Sequence, residues 1–181
     1  MARDQLSEHE VGALRELLDR QAIVDCIHRC ARGVDRADEE LVRSAYHPDA
    51  VEDHGMFVGD VDGLVGFLGA AHAPFPAYQR SVSNTSVELG GDVAHAESYY
   101  SCVLRRDDRG RLLVNGGRYL DRFERRDGEW RIARRGVVME WEGTFEGGPP
   151  RFGGEVAGRH DKDDVSYQRP LEVTRERRAP G

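Results

Sequence analysis

Residues 19–55 read DRQAIVDCIHRCARGVDRADEELVRSAYHPDAVEDHG. Within them Ala22, Ile23, Cys26, Ile27, Cys30, Ala31 and Val34 recur at intervals of three and four. That spacing draws one apolar stripe, roughly 100° wide, along a helix that must lie on a core. Asp35 ends the stripe at its C-terminal rim, where the helix dipole is negative and nothing local favours an acid. A carboxylate placed there serves a neighbouring donor, acts as a base, or is a solvated acid at the start of a loop. The residues alone leave all three readings open.

Upstream, Ser7-Glu8-His9-Glu10 forms a capping box that opens a helix with Val11, Leu14, Leu17 and Leu18 on its apolar side. The main helix then runs to about Val34. Downstream, Asp38 caps a short helix whose buried side is Leu41, Val42, Ala45 and Tyr46, and Pro48 is expected to end it. Ala50–Val58 reads as a strand broken by Gly55, and Asp60–Ala71 as a helix with Leu64, Val65 and Leu68 inward, stopped by Pro74 and Pro76.

The pattern then changes to strands, at about Gln79–Leu89, Asp92–Arg106, Leu112–Arg125 and Glu129–Trp141. Gly90-Gly91, Asp107-Asp108-Arg109-Gly110 and Asp127-Gly128 supply the hairpin turns. Helices first and an antiparallel meander second is the α+β layout. Strands this long must bend around the helices, and Gly116-Gly117 and Gly136 are the expected bends. Residues 1–145 are therefore read as one domain. Residues 146–181, rich in glycine and proline and then in charge, are read as an arm over the surface or over a partner subunit.

A net charge of −7 with no basic stripe argues against nucleic-acid binding. The three cysteines fit free, buried thiols in a reducing compartment. No Cys or His pair completes a set with Cys26 and Cys30, so no metal site is expected. There is no apolar run near 18 residues and no hydrophobic signal core at the N-terminus, so the chain reads as cytoplasmic, without a membrane partner.

Three segments, GVDRADEELVRSAYHPDA (33–50), QRSVSNTSVEL (79–89) and GGRYLDRFERRDGEWRIARR (116–135), resemble in this order the SnoaL-like branch of the nuclear transport factor 2-like superfamily. The likeness covers roughly residues 13–141, and DVSYQRPL (164–171) is similar to the tail of bacterial members. It implies a cone-shaped barrel, with N-terminal helices packed in the concave face of a strongly curved antiparallel sheet around a deep pocket. The family's enzymes, among them scytalone dehydratase, a dehydrochlorinase and polyketide cyclases, use no metal or organic cofactor and move protons in an apolar cavity.

By resemblance, Asp35 matches the aspartate that orients or replaces the catalytic base, and Arg135 matches a pocket arginine that stabilises developing negative charge. Arg134 is the neighbour that a slip in register would substitute. The proton-abstracting histidine of those enzymes lies four residues before the family asparagine, here Asn84, and that position is Arg80. The usual histidine–aspartate dyad is absent. Either Asp35 is itself the base, its pKa raised by burial and opposed by Arg80, or another histidine reaches in. His54 and His28 are the candidates, each with an ordinary surface or structural role as the alternative.

The expected catalytic set is Asp35, Arg135 and His54, with Tyr46, Arg80, Asn84, Tyr99 and Trp141 binding the substrate. In HAESYYSCV either alternate set, one with Tyr99 and one with Tyr100, could line the cone; in RYLDRF, Tyr119, Asp121 and Phe123 share a face. The expected activity is a cofactor-independent elimination, isomerisation or cyclisation of a small, hydrophobic cyclic molecule of polyketide, steroid or terpenoid type. The alternative is a non-catalytic binding or assembly subunit of the same fold. Open sheet faces are usually covered by a second copy, so a homodimer or homotrimer is expected.

Overall fold

The structure, a computed structural model, describes residues 6–106, 110–147 and 158–172. Helix α1 (Glu8–Asp35) is one uninterrupted run of 28 residues. The expected capping box starts it: the Ser7 hydroxyl accepts from the Glu10 amide at 3.3 Å, and the Ser7 amide donates to the Glu10 carboxylate at 2.8 Å. Ile23, Cys26, Ile27, Cys30 and Val34 are buried as the stripe requires. The stripe's upstream continuation is not buried, because Leu14, Leu17 and Leu18 are exposed. Hydrogen bonds from α1 to the sheet begin only at Asp19, which accepts from Arg125 and Trp130, and Arg20, which donates to the Val87 carbonyl.

A Schellman turn ends α1. The Ala37 amide donates to the Val34 carbonyl and the Asp38 amide to the Gly33 carbonyl, with Ala37 in the left-handed region at φ 48°. The turn leaves Asp38 to cap α2 (Glu39–Arg43) through the Leu41 amide, 3.1 Å away. The corner is tight: a Cβ on Gly33 would lie 2.8 Å from the Val42 nitrogen.

Tyr46 and Pro48 overturn a local expectation. Tyr46 is not on the helix, and Pro48 ends none; both belong to strand β1 (Tyr46–Asp53). The reason is tertiary. β6 runs parallel beside this segment, pairing Tyr46 with Ile132, and the Ile132 amide donates to the Ala45 carbonyl at 2.9 Å. Pro48 falls where the pairing is irregular, between Tyr46 and Val51, so its missing N–H goes unmissed. A tight turn with Gly55 at φ 75° leads to β2 (Val58–Gly59), and Asp60 caps α3 (Val61–His72).

The meander follows as β3 (Ala77–Gly90), β4 (Val93–Arg105), β5 (Arg111–Arg126) and β6 (Glu129–Glu146). The strands lie in the order β2-β1-β6-β5-β4-β3, giving the α+β fold with helices against a curved sheet. The expected sheet differs in two respects. It is mixed, since β1 and β6 are parallel, and it is open, with β2 and β3 as its edges. β6 also runs past Trp141 to Glu146. Most of the turn expected at 107–110 lies outside the described residues. Asp127 and Gly128, both at positive φ, make the tight β5–β6 hairpin.

Bulges supply the bend. The β5–β6 pairing shifts at Gly116/Gly117, where a Cβ on Gly117 would sit 1.9 Å from the Val138 carbonyl oxygen. Gly136 makes no bulge and pairs in step with Leu120. A second shift, between Arg122 and Phe123, leaves Ala133 as the extra residue of β6. On β4 the buried side is Ala94, Ala96, Ser98, Tyr100, Cys102 and Leu104. The small residues of that set admit α1, whose Ile23 and Ile27 pack with Phe123 and Ile132 in the closed end of the core. Tyr78, Tyr100 and Tyr119 line the more polar end.

Candidate active site

Three charged side chains form a row across the inner face of the sheet. Asp121 on β5 pairs with Arg135 on β6, which pairs with Glu52 on β1. The Ala133 bulge is what brings Arg135 into the row. Trp130 and Ile132 face inward, and strict alternation would turn Arg134 in next; the extra residue hands the inward position to Arg135 and leaves Arg134 exposed. Arg135 donates from Nε and Nη2 to the two Asp121 oxygens at 2.7 and 2.8 Å. Its Nη1 donates to the Tyr46 hydroxyl at 3.2 Å and reaches the Cys30 sulfur at 3.4 Å. Burial works against this cation, but the Asp121 carboxylate outweighs it and holds the guanidinium well above its usual range.

Glu52 is 4% exposed and takes two strong bonds. The Tyr46 hydroxyl donates to Oε2 at 2.5 Å, and Oε1 lies 2.6 Å from His54 Nδ1. Burial would raise its pKa, yet the bonds from His54 and Tyr46 and the charge of Arg135 prevail, so the carboxyl stays below its usual range. An ionised carboxylate only accepts, so His54 Nδ1 carries the proton and Nε2 bears the lone pair when the ring is neutral. Among the described residues no hydrogen bond occupies that Nε2. The turn after β1 fixes the ring: the His54 amide donates to the Phe57 carbonyl at 2.7 Å, and the ring rests against Phe67 with centroids 5.5 Å apart.

A narrow recess brings these groups together. Tyr46, Glu52, His54, Arg80, Tyr119 and Arg135 give its polar wall, and Ile27, Val34 and Leu68 its apolar one. Arg80 enters from β3, on the inner face between Tyr78 and Val82. Its Nη1 donates to Asp35 Oδ1 at 3.0 Å and its backbone amide to Asp35 Oδ2 at 2.9 Å. Because β3 is an edge strand, that amide has no strand partner, and the side chain ending α1 satisfies it instead. Burial lowers the proton affinity of Arg80, but Tyr119 and Asp35 offset this and keep it charged.

Asp35 itself does not line the recess. It opens on the far side of Arg80, into a more open depression with His28, Arg32 and Arg36. Burial raises its carboxyl pKa, and the charge and amide of Arg80 pull it back without cancelling the rise. Of the residues expected to bind substrate, Tyr46 and Arg80 line the recess and three do not. Asn84 is exposed at φ 46° in the bulge between Ser83 and Ser86. Tyr99 and Trp141 are exposed on the outer face, the latter lying over Gly116. On β4 it is Tyr100 that turns inward, stacked on Tyr119 at 4.5 Å.

Sequence reasoning passed over Glu52 as a functional residue. A usable signal was present, since Ala50, Glu52 and His54 alternate with Val51 and Asp53. It set Tyr119 and Asp121 on a shared face, but nothing local identified Arg135 as their partner. Among the described residues no three His, Cys, Asp or Glu side chains converge to share a metal ion, and no helix is long and apolar enough to cross a membrane.

No curated protein sequence matches the chain. Among solved structures, a hexachlorocyclohexane dehydrochlorinase from Novosphingobium barchaimii superposes with a TM-score of 0.70 at 20% identity, over 76% of this chain and 99% of that one. A candidate scytalone dehydratase from Novosphingobium aromaticivorans gives 0.65 at 17%, over 77% and 97%. A candidate aromatic ring hydroxylase of the same species gives 0.64 at 24%, over 71% and 94%. At these identities the likeness is one of fold. The SnoaL-like domain model matches residues 15–136, a span that contains every residue of the recess, and the chain therefore belongs to the SnoaL-like domain family.

Proposed function

We propose that the chain is a cofactor-independent lyase or isomerase that moves a proton on a small, apolar cyclic substrate of polyketide, steroid or terpenoid type. The observation that carries this reading is the His54–Glu52 bond at 2.6 Å in a recess that also holds Arg80 and Arg135. His54 Nε2 takes the substrate proton as general base, and Glu52, bonded to Nδ1, fixes the tautomer and stabilises the imidazolium that forms. Arg80 and Arg135 face the charge that develops on the substrate as an enolate or departing anion. Both guanidinium groups are buried, and preorganised donors in such surroundings act more strongly than in water. Asp35 anchors Arg80. The His54–Glu52 pair does the work of the missing histidine–aspartate dyad from a different strand. Dehydrochlorinase and dehydratase relatives of the same fold support a lyase-type reaction.

The test is a panel of cyclic ketones, alcohols and halides incubated in deuterated water, read by mass spectrometry for elimination or deuterium uptake. Wild-type turnover that falls by roughly 10²-fold or more in His54→Ala, with the fold intact, is the expected result. Turnover unaffected by His54→Ala removes the base from the reading. Ligand retention without turnover in the wild type favours the non-catalytic binding role.

A further inference from the structure

The described part of the C-terminal segment, residues 158–172, packs on the C-terminal end of α1. The Tyr167 hydroxyl donates to Asp38 Oδ2 at 2.7 Å, Arg32 Nη2 donates to Ser166 Oγ at 3.2 Å, and the Arg32 guanidinium lies 4.8 Å from the centre of the Tyr167 ring. Arg36 Nε stands 3.5 Å from Asp164 Oδ1, and Asp164 closes the segment by accepting from the Arg159 and Ser166 amides. These contacts deliver His160 to one place. Its Nδ1 is 2.8 Å from the Asp35 carbonyl oxygen, and its ring stacks on Tyr78 with centroids 4.0 Å apart and planes 11° apart.

Tyr78 is sandwiched. Its other face carries the His72 ring, 4.5 Å away and 16° from parallel. His72 Nε2 lies 3.3 Å from Arg80 Nη2, and only a neutral imidazole can accept there. Burial and then the charge of Arg80 press the His72 pKa down to about 4, which keeps that lone pair free. Arg80 is thus held on two sides, by Asp35 and by His72, and His160 touches a neighbour of each hold.

We propose that His160 is a positioning residue for the recess: docking of the C-terminal segment stacks its ring on Tyr78 and pins the Asp35 backbone, and so sets Arg80. The segment then acts as a strap, and the charge facing a substrate is in place only when the strap is down. The consequence for turnover rests on the proton-transfer reading above; the clamp on Arg80 does not.

The Arg80 backbone amide reports the clamp directly, because its acceptor is the Asp35 side chain and not a strand. Amide hydrogen exchange followed by NMR on the full chain, without ligand, is the test. His160→Ala is expected to speed exchange at Arg80 by about tenfold or more while the core amides of Phe123 and Ile132 keep their rates. His160→Phe, which restores the stack, is expected to recover at least half of the lost protection on a logarithmic scale. An unchanged Arg80 rate in His160→Ala overturns the proposal, and so does an equal rise at Phe123 and Ile132, which marks general loosening. A His160→Phe variant that exchanges as fast as His160→Ala removes the stack as the carrier and overturns it too. If the proton-transfer reading alone fails, the wild type shows no turnover and the exchange result stands.

Discussion

Asp35 is the residue whose role changes most between the chain and the fold. As the last residue of α1 it meets the negative end of a helix dipole, and its main compensation is Arg80. Their side chains are 13% and 8% exposed, so this is a largely dry ion pair. Removing the carboxylate leaves the guanidinium and amide of Arg80 without their acceptor, a cost partly offset by the burial penalty on Asp35 itself. Asp35→Asn is accordingly expected to lower the urea midpoint and to reduce turnover through a misplaced Arg80. A variant as stable as the wild type would show that the charge of Arg80 is balanced elsewhere. Both acids sit beside a guanidinium, but of the two carboxylates only that of Glu52 is bonded to a histidine, and that arrangement supplies a base with a free lone pair.

β6 is the element that assembles the site. One bulge turns Arg135 inward and another, opposite Gly116 and Gly117, bends the sheet. The second depends on a missing side chain. A methyl group on Gly117 would be driven into the Val138 carbonyl, and backbone of that kind does not give way cheaply. Gly117→Ala is expected to destabilise the fold by about 3 kcal/mol, seen as a lower unfolding midpoint. Gly136, which pairs regularly with open space at its Cβ, is the matched control and should tolerate alanine. A Gly117→Ala protein of unchanged stability would mean that the strands part there without penalty. α1 shows the same dependence on partners: its stripe is buried only where the sheet meets it, so Leu14, Leu17 and Leu18 remain exposed despite their helical spacing.

Across the whole molecule the buried charges tie stability to pH. Glu52 is held below its usual range, so its contribution is complete above the unfolded value near pH 4.3 and is lost as pH falls through the folded value. Asp35, raised by burial, acts with the opposite sign, its share growing as acid is added. Glu52→Gln should therefore flatten the loss of thermal stability on acidification between about pH 5 and pH 3, read from melting curves along that series. A slope equal to the wild type would place the acid sensitivity in the surface carboxylates. What could be read along the chain was what is local: the capping box at Ser7, the stripe of α1, the hairpin turns and the sharing of a face by Tyr119 and Asp121 follow from neighbours a few residues apart. The likeness of three motifs added the family. Pairing between distant segments decided the rest. β6 claimed Tyr46 and Pro48 for a strand, a bulge chose Arg135 over Arg134, and the parallel contact of β1 with β6 set Glu52 beside Arg135. No window of sequence holds those partners together, because register is fixed by which strands can bury their inner faces on one another.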